Sequence, residues 1–89
     1  MKKDLQELRK VIDTLDAQII ELLAKRMQAV KLVGEYKAAQ NIQPLDKNRW
    51  QEVLDSKREQ AKALGLSEKL VEDIYERIHQ EALRIEKEL

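Results

Sequence analysis

LQELRKVIDTLDAQIIELLAKRMQAVKLVGEY, residues 5–36, holds the pattern that decides the fold. Leu5, Leu8, Ile12, Leu15, Ile19 and Leu22 recur at alternating spacings of three and four, which marks one buried seam of an α-helix. The next seam position is Arg26, and the seam then resumes through Ala29, Val33 and Tyr36. A guanidinium in a stripe whose other members favour a dry environment is costly unless an anion meets it. Either a carboxylate of the protein or an anionic ligand must fill that role.

Outward from this stretch, the composition fits one small all-helical domain covering residues 1–89. Of the 89 residues 43% are hydrophobic and 3% aromatic, with two glycines and one proline. Seventeen basic residues balance seventeen acidic ones, so there is no basic field to draw the chain to nucleic acid or anionic lipid. No apolar run approaches the roughly 18 residues that a membrane span needs. Met1-Lys2-Lys3 leads into charged helix where a signal peptide would have an apolar core. Cysteine is absent, which fits a cytoplasmic location.

Three helices are expected. The first runs from about Asp4 to Gln40, with Gly34 near its C-terminal end, and breaks at Asn41-Ile42-Gln43-Pro44-Leu45 because proline lacks an N–H and restricts the residue before it. Asp46 can cap a second helix carrying Trp50, Val53, Leu54 and Ala61, which stops at Gly65. Ser67 can cap a third, whose Leu70, Val71, Ile74, Ile78, Ala82, Ile85 and Leu89 follow the helical period.

A first helix of about 37 residues is about 55 Å long, roughly twice the dimension of a compact chain of this size. A second stripe, Ile20, Leu23, Met27, Val30 and Gly34, widens its apolar surface further. Both features point to an intertwined homodimer in which the partner's helices supply the missing burial; the periodicity equally allows an antiparallel coiled-coil bundle. Charge placement favours the dimer. Arg26 and Lys37, eleven residues apart, point within about 20° of each other and lie about 16 Å apart along the axis, so both could lean onto one small dianion. Arg9 lies about 25 Å along the helix from Arg26 and about 100° around it. It can enter such a site only from a partner chain.

Leu8-Arg9, Ile12-Asp13, Leu15-Asp16, Arg26, Gly34 with Lys37, and Asp46 with Arg49, at these separations and over nearly the whole chain, resemble the all-helical chorismate mutases of the AroQ class. The resemblance implies an entwined dimer of three-helix subunits that converts chorismate to prephenate without a cofactor. It implies that Arg26 and the partner's Arg9 hold substrate carboxylates, that Lys37 donates to the ether oxygen of the breaking bond, and that Arg49 assists carboxylate binding. Asp46 would contact the ring hydroxyl, and Glu86, by alignment on the third helix, would also donate to the ether oxygen. Val33 and Ile78 would supply apolar walls, Ile78 being as readily a core residue.

The chemistry suits those residues. A Claisen rearrangement is unimolecular and requires no nucleophile, metal or obligatory proton transfer, so a protein can act by holding the reactive conformer and matching its charge. Arginine forks fix carboxylates bidentately, and a cation at the ether oxygen meets negative charge that grows only as the bond breaks. Glu86 must carry its proton to donate there. Two positions depart from the family pattern: Ala82 falls where a hydroxyl residue often touches a carboxylate, and Trp50 where an acidic residue often helps hold the ring hydroxyl. His79, the sole histidine, reads as a structural or surface group, and without a second histidine or a cysteine it does not suggest a metal site. Two alternatives share the helical pattern: an isochorismate-pyruvate lyase of the same fold, disfavoured by Asp46, and a non-enzymatic dimerisation module, which leaves Arg26, Lys37, Asp46 and Arg49 unexplained.

Overall fold

A computed structural model describes residues 4–89. Helix α1 runs Leu5–Ala39, with Asp4 as its N-cap accepting a hydrogen bond from the Glu7 N–H at 2.8 Å. It ends at Gln40, and Asn41 turns the chain through the left-handed region at φ 57°. Helix α2 runs Lys47–Leu64, capped by Asp46 through the Arg49 N–H at 3.0 Å and closed by Gly65 at φ 70°. The glycine takes that conformation without the penalty a Cβ would bring. Helix α3 runs Glu68–Lys87, with the Ser67 hydroxyl accepting from the Leu70 N–H. The three expected helices and their caps are present.

Helix α3 is the hinge of the packing: it lies against both α1 and α2, which do not pack on each other. Toward the C-terminal end of α1 the two helices come close: a Cβ on Gly34 would stand 2.6 Å from Leu89 Cδ1, 3.0 Å from Glu86 Cγ and 3.2 Å from Glu86 Cα. A bare glycine therefore lets the two backbones approach closely. Ala61 of α2 and Ala82 of α3 are buried, and an Arg58–Glu72 ion pair bridges the two helices.

The second stripe of α1 does the intrachain work, contrary to the expectation that it would need a partner: Leu23, Met27 and Val30 are half-buried and Gly34 is buried, with Ile20 alone exposed. The first seam is the open one. Leu5, Leu8, Ile12, Leu15, Ile19 and Leu22 are 47–64% exposed, because the chain, 58 Å long and 24 by 15 Å across, folds nothing of its own over that half of α1.

Candidate active site

Arg26 is held by the middle of α1, where the seam turns toward α3, and Lys37 sits three turns later on the same face. Pro44 ends the connecting segment, Asp46 and Arg49 occupy the first turn of α2, and Glu86 comes from the last turns of α3. These residues line one pocket of about 360 Å³, with apolar walls from Val30, Val33, Val53 and Leu83. Five of the six expected site residues thus converge in one chain. Arg9 is exposed on the unpartnered half of α1 and does not line the pocket. Val33 forms wall as expected, whereas Ile78 is half-buried outside the pocket, in the core role.

Lys37 and Glu86 are the most enclosed of the ionisable pairs, their side chains 19% and 9% exposed, with Nζ 2.8 Å from Glu86 Oε1. The lysine also donates to the Pro44 carbonyl at 2.7 Å. Only the bond to Pro44 has hydrogen-bond geometry; the approach to Glu86 is a close ion pair in which Oε1 has no hydrogen-bonded partner. The Pro44 carbonyl consequently fixes the ammonium at the pocket wall.

Arg26 shows the same lack of partners more sharply. Its Nη1 is buried and makes no hydrogen bond, and no carboxylate among the described residues pairs with it. Its guanidinium carbon stands 6.0 Å from the centre of the Tyr75 ring, at the outer reach of a cation–π contact. The choice between internal carboxylate and external anion therefore falls to the anion within this chain. Arg49 extends over solvent toward Glu52 at 3.5 Å, and Asp46 spends one carboxylate oxygen on its capping bond, leaving the other for a ligand.

Sequence reasoning did not foresee His79, which belongs to the pocket wall. Its ring stacks on Trp50, centroids 3.9 Å apart and planes 6° apart, joining α3 to α2. Burial pushes the imidazole below its usual range; Glu86 opposes that, while Arg26 and Lys37 add to it. One signal was present in the sequence: His79, Ala82 and Glu86 are spaced three and four apart, which sets them on one face of α3. Among the described residues no group of three or more His, Cys, Asp or Glu could hold a metal ion, and no helix is long and apolar enough to cross a membrane.

The pocket sets three cations, Arg26, Lys37 and Arg49, against two carboxylates, Asp46 and Glu86, and suits a small, compact, multiply anionic ligand with an apolar ring. Comparison with known proteins agrees. A family described as chorismate mutase type II matches residues 8–87. The chain is 37% identical over 82 residues to the T-protein of Enterobacter agglomerans, an alignment covering 92% of this chain and 22% of that protein. It is 35% identical over 78 residues to the T-protein of Haemophilus influenzae, covering 88% and 21%. The chain spans about a fifth of the length of these curated relatives.

Proposed function

Because the chain belongs to the chorismate mutase type II family, we propose that it catalyses the rearrangement of chorismate to prephenate, in aromatic amino-acid biosynthesis in the cytoplasm. The observation that carries this reading is that Arg26, whose buried Nη1 makes no hydrogen bond, lines one pocket with Lys37 and Glu86. Arg26 and Arg49 bind the substrate carboxylates and hold the chain and ring in the compact reactive conformer. The ether C–O bond breaks as the new C–C bond forms, and Lys37 meets the charge growing on the ether oxygen. Asp46 accepts from the ring hydroxyl. No cofactor takes part.

The site is completed by a second copy of the chain. A seam of six large apolar residues left half-exposed along one helix is the kind of surface that an obligate homodimer buries. Burying it in an entwined dimer brings the partner's α1 to the pocket, and with it Arg9 as a further carboxylate ligand.

Following chorismate and isochorismate separately by absorbance tests the reading: turnover of chorismate to prephenate is expected, and release of pyruvate from isochorismate alone would replace it with the lyase. Turnover of neither by a well-folded dimer would leave a dimerisation module.

Glu86 supplies a sharper test. A carboxylic acid donates to the ether oxygen only while protonated, and the carboxylate would oppose the charge developing there. kcat/KM is therefore expected to decline toward alkaline pH, because the carboxylate form, the one paired with Lys37, cannot donate. Glu86→Gln, a permanent donor, is expected to keep its activity on the alkaline side. Superimposable pH profiles for the two proteins would remove Glu86 from the ether oxygen.

A further inference from the structure

Trp50 and His79 are the two pocket residues whose placement the mutase reading leaves without a task, and they touch each other. The stack is close and nearly parallel, 3.9 Å between centroids at 6°, and it spans two helices, so each ring fixes the other's orientation. Stacking engages the ring faces and leaves the imidazole edge, with its two nitrogens, free to bond. Both rings line the pocket beside Arg26, Lys37 and Glu86. One turn beyond His79 on the same face of α3 stands Ala82, a wall residue that offers no hydrogen bond at all.

We propose that His79, clamped by Trp50, is a substrate-binding residue: its imidazole N–H donates to a carboxylate of the bound dianion, the contact that Ala82 cannot make. The proposal deepens the mutase reading and rests on it. The charged groups that line the pocket with the imidazole are Arg26 and Lys37 of α1, Asp46 and Arg49 at the start of α2, and Glu86 of α3, of which Glu86, Arg26 and Lys37 act on its titration. Burial lowers the imidazole's titration from its usual range, Glu86 opposing and the two α1 cations adding to the effect. A bound dianion neutralises those cations and itself attracts a proton, so the imidazole titrates at higher pH in the complex than in the free protein. The linkage has a definite sign. Binding takes up a proton between the two titrations, and affinity strengthens as pH falls through that window.

His79 is the chain's sole histidine, so its ring carbon–proton resonance is identified without assignment and can be titrated in the intact protein. An upward displacement of its titration is expected on saturation with a non-reactive bicyclic dicarboxylate that mimics the rearranging substrate. His79→Phe retains the stack and removes the donor; KM for chorismate is expected to rise about tenfold or more, with a smaller loss of kcat, as for a lost hydrogen bond to a charged group. An unchanged KM in a folded His79→Phe protein would overturn the contact even if the resonance moved, since a field alone would move it. A titration unmoved by saturating dicarboxylate would overturn it as well. In both cases turnover of chorismate by the unaltered protein would leave the mutase reading standing, whereas absence of that turnover would remove both.

Discussion

Arg26→Met is expected to lower kcat/KM for chorismate by about 10³-fold, at the upper end of what removing one preorganised donor costs, while leaving the melting temperature unchanged or raised. The two halves of this expectation have one cause. Arg26 holds a buried Nη1 without a hydrogen bond and pairs with no carboxylate among the described residues, so in the unliganded protein its desolvation is uncompensated. Its contact with Tyr75 at 6.0 Å returns on the order of 0.5 kcal/mol. Methionine keeps most of the side-chain length against α3 and removes the charge, an exchange that is often neutral or stabilising for poorly compensated buried charges. Under the proposed role the balance is expected to reverse in the complex, where a substrate carboxylate would take a bidentate bond that a thioether cannot offer. Paired melting curves and steady-state kinetics check both halves. A drop of many degrees in melting temperature would mean that Arg26 is a structural ion-pair partner and that the activity loss is secondary to unfolding.

Why Arg26 could be singled out from sequence is physical: a charge interrupting an otherwise regular apolar seam conflicts with its local pattern, and such conflicts concentrate at functional sites. The caps were legible for a related reason. Asp46 and Ser67 each sit where a helix must satisfy its first N–H groups, and each does so. Periodicity along α1 identified two apolar stripes, yet it could not tell which one α3 would cover. That depends on where the backbones approach closely, as they do at Gly34, where a Cβ would stand 3.2 Å from Glu86 Cα and 2.6 Å from Leu89 Cδ1. The same limit hid His79. A lone histidine on a helix is ambiguous by residue type, and its place in the wall comes from stacking on Trp50, a residue 29 positions earlier by its number in the chain. Lys37 and Glu86, 49 positions apart, were joined only through the family resemblance.

The second large effect is expected at Arg9, under the proposal that a partner chain brings it to the pocket. From Arg9 to Arg26 the helix advances about 25 Å, and Arg9 stands outside the pocket, on the half of α1 whose seam is open. If the pocket takes its Arg9 from the partner, Arg9→Ala and Arg26→Ala homodimers both lose about 10²- to 10³-fold in rate. Co-refolding the two proteins then distributes the defects unevenly. In a heterodimer, the pocket built on the Arg9→Ala chain keeps its own Arg26 and receives an intact Arg9, while the other pocket lacks both. Each heterodimer should have about half the wild-type activity, and an equal mixture, in which about half the dimers are mixed by symmetry, about a quarter. Were Arg9 to act within its own chain, each pocket of the heterodimer would carry one defect, and mixing would restore nothing. Heterodimers isolated through distinct affinity tags and still inactive would therefore reject the shared site, whatever the single substitutions had cost.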